Sequence, residues 1–273
     1  MLPDKVIAIY CFCDDLLKAL HHPTKAGCRT SDSEILTTAL ISALFFKGNQ
    51  SLALHYMRAH HMAPELPQKS GFTKRLHALS ELLLTVFQQV GHLIKDLDCQ
   101  HRYLLDSFPI AVCRLSRLKR CHLLKGKDYL GYCASQRQYF YGVRIHVVTT
   151  SAGVPVEVCF VAGAEHDARA LNRLLWDYAP GDEVYDDNAY TSYLFEDIAL
   201  EAGLKVRTAR KPTSKRRDAP WIAYLKVCYR KQIEATFSSI TTLMPRALHC
   251  VSTKGFFIKL LLFIMAYQFN QIL

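Results

Sequence analysis

No Cys-x-x-Cys occurs among the ten cysteines, and the closest pair is Cys11 and Cys13. Zinc sites built on thiols use tighter pairing with histidine nearby. Reduced thiols in a cytoplasmic protein are therefore expected, without a metal or disulfide framework. No secretory leader is expected either, since Met1 to Lys5 runs into a stretch broken by Asp14 and Asp15. The apolar C-terminal stretch Phe256 to Leu273 is interrupted by Lys259, and its uncharged part, Leu260 to Leu273, is 14 residues long. That is short for a bilayer span, so a buried helix is expected. There is no internal repeat, and composition shows no long disordered segment. Nor do two histidines flank a single apolar residue, although His21-His22 and His60-His61 are adjacent pairs. The usual sign of a histidine-based nuclease is thus absent, and no positioned acid–base pair is signalled.

What is present is a globular composition on 273 residues, with 50% hydrophobic and 21% charged residues. Length allows one or two domains. The formal net charge of +10 favours polyanion partners, either nucleic acid or an acidic membrane surface. The charge is uneven. Gly203 to Lys231 holds ten Lys or Arg against one acid, and Arg114 to Asp128 holds six against one. Glu157 to Glu201 holds eleven acids and two arginines. Basic blocks on both sides of an acidic stretch fit a phosphate backbone running past carboxylates. Any single run also reads as a solvated loop.

The first hundred residues read as helical. Ser31 and Glu34 form a capping box, and Ile35, Leu36, Ala39, Leu40, Ala43 and Leu44 recur at helical spacing. Gly48 and Asn49 stop that helix. Further helices are expected over Ser51 to His60 and, as one or two, over Ser70 to Ile94. Near residue 100 the texture changes. Tyr103-Leu104-Leu105 predicts a short strand ending at Asp106. Phe140 to Thr150 and Pro155 to Ala162 predict a hairpin turning at Gly153. A helix over His166 to Tyr178 follows, then a strand at Glu183-Val184-Tyr185 and a helix over Thr191 to Ala202. A fifth strand is expected over Leu204 to Thr208, and a long helix over Trp221 to Met244. The pattern predicts a mixed α/β sheet.

Three acids fit a demanding chemistry. Phosphodiester cleavage without a covalent intermediate needs an activated water and a stabilised leaving oxygen, which two Mg²⁺ ions about 4 Å apart can supply. Mg²⁺ takes hard oxygen ligands held on rigid elements. Asp106 and Asp187 end apolar strands. Glu234 lies on the long helix, beside an apolar stripe of Ile233, Phe237 and Ile240. Each acid has a plainer reading as well. Asp106 before Ser-x-Pro fits a turn or cap, Asp187 fits a solvated loop, and Glu234 fits an (i, i+4) pair with Arg230.

Several segments, in order, resemble the DDE transposases of bacterial insertion sequences, in particular the insertion-sequence family numbered nine-eighty-two. Leu104-Leu105-Asp106-Ser107-Phe108-Pro109 resembles the first-aspartate strand. Tyr141-Gly142-Val143-Arg144-Ile145-His146 resembles a Gly-x-Lys-x-His strand, with Arg144 replacing lysine. His166-Asp167-Ala168-Arg169-Ala170-Leu171 resembles the His-Asp that opens a helix after the third strand. Asp187-Asn188-Ala189-Tyr190 resembles the second-aspartate motif Asp-Lys-Gly-Tyr without its lysine and glycine. Arg230-Lys231-Gln232-Ile233-Glu234 resembles the Arg-x-x-x-Glu of the last catalytic helix. A related Tyr-Arg-Glu-Lys signature is not matched, since Val227 and Thr241 stand at its outer positions. Asp186 competes with Asp187, but strand alternation sends neighbours to opposite faces, and the Asp-x-x-Tyr match favours Asp187.

The resemblance implies a ribonuclease-H-like catalytic core, a mixed five-stranded sheet with helices. It covers 99–273 with a C-terminal apolar helix, after a helical DNA-binding region over 1–98. It implies Mg²⁺-dependent cleavage at element ends and strand transfer to target DNA, with two divalent ions, Mn²⁺ being an alternative. Asp106, Asp187 and Glu234 are the implied catalytic metal ligands. Lys205, Arg207, Arg210, Lys211, Lys215, Arg216 and Arg217 would track the DNA backbone, and Arg230 would position Glu234 or a phosphate. A homodimer on DNA, in the bacterial cytoplasm at the nucleoid and away from membranes, completes the expectation. The altered Asn188-Ala189 pair keeps open a second class, a DNA-binding derivative that has lost catalysis. A third class, a membrane-surface protein using the basic surface and apolar tail, is disfavoured by Lys259.

Overall fold

The computed structural model describes residues 2–23, 27–134, 136–211 and 213–273. Helices α1 (Leu2–Ala19), α2 (Asp32–Phe45), α3 (Gln50–Ala59), α4 (Lys69–Ala78) and α5 (Ser80–Leu97) come first. Strands β1 (Arg102–Cys113), β2 (Leu130–Cys133), β3 (Gln138–Thr150), β4 (Pro155–Ala162) and β5 (Glu183–Asp186) follow. Helix α6 (Tyr193–Glu201), β6 (Lys205–Thr208), α7 (Pro220–Leu243) and α8 (Thr253–Ile272) complete the order. Two compact units result: residues 1–89 with 240–273, and residues 90–239. The C-terminal helix thus groups with the N-terminal helices, a division different from a boundary at 98/99.

The helical unit is built around α2, which packs against α1, α3, α4 and α8. Ser31 starts α2 as its spacing predicts: its hydroxyl accepts from the Glu34 N–H, and the Glu34 carboxylate accepts from the Ser31 N–H at 2.6 Å. After the turn at Gly48, Asn49 caps α3 by accepting from the Ser51 and Leu52 N–H groups. Helix α8 is long and apolar enough by length and composition to cross a membrane. Phe256, Ile258 and the whole run Leu260 to Ala266 are nevertheless buried in the protein, and Phe12 of α1 meets Phe269 edge-on at 5.3 Å. Asp32 is the ionic centre of this unit. Its carboxylate accepts from Arg75 and lies 2.9 Å from His22 Nε2, while Arg75 also donates to the Thr30 carbonyl at 2.6 Å.

The second unit carries a six-stranded mixed sheet of order β2-β3-β1-β5-β6, with β4 also pairing β3. The five-strand expectation is corrected by β2, four residues of which Gly131 and Cys133 are buried. A strand so short, beside a basic run, leaves too little alternation to read. Strand β1 is antiparallel to β3 and parallel to β5, and β5 is parallel to β6. Gly91 lets α5 approach β4, because a Cβ there would lie 2.3 Å from the Val156 carbonyl oxygen. The helix expected over His166 to Tyr178 is only a 3₁₀ turn, Asp167–Arg173. Trp176 adopts φ 55° and donates its indole N–H to the Leu171 carbonyl, taking the acceptor that a continuing helix would use. Leu171 and Leu174 instead enter a core with Tyr103, Leu105, Val148 and Val184.

Candidate active site

Strand β1 does not end at Asp106, as its apolar run suggested. It continues to Cys113 along β3, with Asp106 opposite Val147. What ends there is the other neighbour: pairing with β5 stops at Leu105 opposite Asp186. Asp106 is therefore the first β1 residue beyond the carboxyl end of its parallel partner. In open α/β sheets, crevices form outside strand carboxyl ends. The open edge also explains Pro109 inside a strand, since its missing N–H leaves no partner unserved.

Side-chain alternation aims the site. Tyr103 and Leu105 enter the core described above, while Phe108 meets Phe237 of α7 at 4.6 Å between ring centroids. Asp106 shares the parity of Phe108 and so faces the α7 side. On β5, Tyr185 packs against Tyr229 of α7 with tilted rings, their centroids 4.6 Å apart. Asp187, one residue past β5, shares that side, and its Oδ1 lies 3.4 Å from Arg230. Asp106 and Asp187 line one cavity of about 240 Å³, with Tyr229, Arg230 and Ile233 of α7 on its wall.

The electrostatics separates the acids. Burial, with Asp187 and then Asp167 as like-charged neighbours, pushes the Asp106 carboxyl up to about 7, against the Ser107 N–H that donates to it at 2.7 Å. Asp186 is sealed: burial pushes its carboxyl up to about 8, with the Thr208 hydroxyl as the main counterweight. Asp186 lines the same cavity, but both its carboxylate oxygens are buried, which makes it a poorer cation ligand than the partly exposed Asp187. Glu234 is half exposed at 55% and accepts from Arg230 Nε at 3.1 Å. Arg230 thus stands between Asp187 and Glu234. Among the described residues no three His, Cys, Asp or Glu side chains gather closely enough to hold a metal ion. The structure joins Asp106 and Asp187 at the cavity and leaves Glu234 one arginine away.

A hard divalent cation suits this donor set. Asp187 adds to the cost of ionising Asp106, which a cation between them would relieve, and both carboxylates offer only oxygen. Glu234 would join on release from Arg230.

The predicted DNA-facing cations divide into two groups. Arg210 makes a two-pronged pair with Glu196, at 2.8 and 2.5 Å. Arg216 pairs with Asp197 at 2.8 and 2.9 Å, and Arg207 lies 3.1 Å from Glu183. These three, with Arg230, are matched by acids of the same chain. Lys205, Lys211, Lys215 and Arg217 are exposed.

Sequence reasoning gave no site role to Asp167, His146, Ser107 or Tyr190, which lie together beside the two aspartates. His146 is fully buried, and burial, with Arg144 nearby, pushes its imidazole down to about 3, so it is neutral. Its Nδ1 lies 2.7 Å from the Tyr190 hydroxyl. The His-Asp pair at 166–167 was the visible signal. Lys226 was also missed: it is buried, donating to the Thr208 carbonyl at 2.6 Å and to both Asp218 oxygens at 2.7 Å.

Comparison with known proteins comes after this geometry. A family model described as the transposase DDE domain matches residues 99–269. No curated protein matches the chain. Among solved structures, a cryo-EM structure of the piggyBac transposase synaptic complex with hairpin DNA is similar at 9% identity and a TM-score of 0.39. The match covers 63% of this chain and 47% of that one, so the chain spans about half the length of that structure.

Proposed function

Because the chain belongs to the transposase DDE domain family, we propose that it is an insertion-sequence transposase, cutting DNA at element ends and joining the freed 3′-hydroxyl to target DNA. The bacterial family numbered nine-eighty-two, a ribonuclease-H-like core and a homodimer on DNA belong to this reading. The observation that carries it is the pairing of Asp106 with Asp187 at the open end of β1 and β5, walled by the helix that bears Arg230 and Glu234. Asp106 and Asp187, joined by Glu234 once it leaves Arg230, would hold two Mg²⁺ ions, or Mn²⁺ in their place. When bound, these activate water and stabilise the leaving oxygen. The residues of the chain do the rest. Asp106 is oriented by the Ser107 N–H and Asp187 by the Asn188 N–H, each at 2.7 Å. Arg230 holds Glu234 aside and then turns to a DNA phosphate, which its planar fork suits. Lys205, Lys211, Lys215 and Arg217 follow the DNA backbone.

The test is Mg²⁺- or Mn²⁺-dependent nicking of duplex DNA carrying the sequences that flank the reading frame. Asp106→Ala, Asp187→Ala and Glu234→Ala each remove cutting while leaving DNA binding in place. If the three variants cut as well as the parent, the assignment of these residues is wrong. A second reading, a DNA-binding derivative without catalysis, draws on Glu234 being tied to Arg230. Binding by the parent without any metal-dependent cutting would establish it.

A further inference from the structure

Behind Asp106, on the opposite face of the sheet, lies a polar group that the cleavage reading leaves unused. Ser107 follows Asp106 and so turns to that face, where His146 of β3 stands directly across from it in register. The Ser107 hydroxyl lies 3.5 Å from Asp167 Oδ1. The same oxygen is 3.7 Å from His146 Nε2, a buried nitrogen with no hydrogen-bond partner among the described residues, and 3.8 Å from Arg144. The other imidazole nitrogen meets the Tyr190 hydroxyl at 2.7 Å. Tyr190 ends the short turn that starts after Asp187, and it is buried.

We propose that Asp167 is a positioning residue for the Asp106–Asp187 pair. It holds the Asp106 segment through Ser107 and the Asp187 segment through His146 and Tyr190. The two aspartates come from strands that part company at this point, since no β1–β5 pairing extends past Leu105 and Asp186. Past that register the ladder no longer pairs the two segments, and a side-chain tie across the gap can fix how the two carboxylates face each other. A neutral imidazole suits the task. With its proton on Nε2 it faces the Asp167 carboxylate, while Nδ1 accepts from the Tyr190 O–H. The bland alternative is a core-filling polar cluster. Against it, Asp167 places a third carboxylate beside two others, and its carboxyl is itself raised by burial, with Asp187 adding to the shift. Packing alone would be served better by a neutral residue. Such supporting partners typically alter metal affinity 10–100-fold when removed.

This inference rests on Asp106 and Asp187 being cation ligands, and the experiment separates the two. Mn²⁺ binding to the full chain, followed by electron paramagnetic resonance without DNA, is the readout. Asp167→Asn weakens Mn²⁺ binding by about tenfold or more. Tyr190→Phe weakens it less, and Asp167→Glu recovers part of the loss. Leu171→Ala, a core change in the same unit, lowers thermal stability but leaves the Mn²⁺ affinity of the folded protein unchanged. If Asp167→Asn binds Mn²⁺ within about twofold of the parent, or loses no more than Leu171→Ala, the positioning role is overturned and the ligand assignment stands. A parent that binds no Mn²⁺ overturns both.

Discussion

Asp32 in the helical unit and Asp106 in the sheet unit are both largely withdrawn from water, yet they are held in opposite ways. Burial works against the charge on Asp32, but hydrogen bonds from His22 and Arg75 outweigh it and keep the carboxyl below its usual range. Burial also works against Asp106, and there the neighbours are Asp187 and Asp167, so the carboxyl rises to about 7. One aspartate is satisfied inside the fold and stabilises it. The other is held at a cost to the fold, among acids beside an open cavity. Electrostatic cost concentrated in a cleft is a mark of a functional site, and the contrast supports Asp106, not Asp32, as the acid of the proposed chemistry.

The largest effect on folding should come from the satisfied acid. Asp32→Ala strands Arg75 and His22, and breaking such a buried pair costs about 3–5 kcal/mol. Urea denaturation reads that loss, and DNA cleavage per folded molecule is unchanged. A drop in cleavage beyond the drop in folded fraction would erase the contrast.

The second effect has the opposite sign. Asp106 is raised in the fold from 3.8 to about 7, so the folded state binds more protons than the unfolded state between those values. Stability is therefore lost as pH rises through that window, and the deficit is complete above the upper value. Asp106→Asn removes the deficit. In metal-free buffer the variant is as stable as the parent near pH 4 and more stable at pH 8, on the order of 4 kcal/mol at most. Urea denaturation of both proteins at several pH values measures the difference. A parent more stable than the variant at pH 8 would mean that Asp106 is satisfied as Asp32 is.

The smallest effect sharpens the same contrast among the cations. Lys211→Ala, Lys215→Ala and Arg217→Ala each lower the slope of log affinity for duplex DNA against log salt by about one. Arg216→Ala changes it less, because Asp197 already neutralises that side chain. Equal slopes for all four variants would show that the paired arginine opens toward DNA.

Much of the fold was legible. The capping box at Ser31, the hairpin of β3 and β4, and the long α7 all rest on local chemistry, and each formed where its residues predict. The 3₁₀ turn at Asp167–Arg173 was not legible, because Leu171, Leu174 and Trp176 answer to a core assembled from distant strands. At the site, Asp186 and Asp187 both line the cavity, and Asp186 is the one whose carboxylate oxygens are buried. The ties of Arg210 to Glu196 and of Arg216 to Asp197 were hidden, since their partners lie 14 and 19 residues away.

By itself, the sequence determined the kinds of element, the basic flanks, and the acids able to take part, because helical and strand periodicity and turn chemistry act over a few residues. Only the tertiary structure decided which acids meet. Asp106 and Asp187 converge because β1 outruns β5 at the sheet's open end, and the Ser107–Asp167–His146–Tyr190 group forms because β1, β3 and two later turns cross there. Those encounters depend on strand order and register, which short-range patterns do not encode.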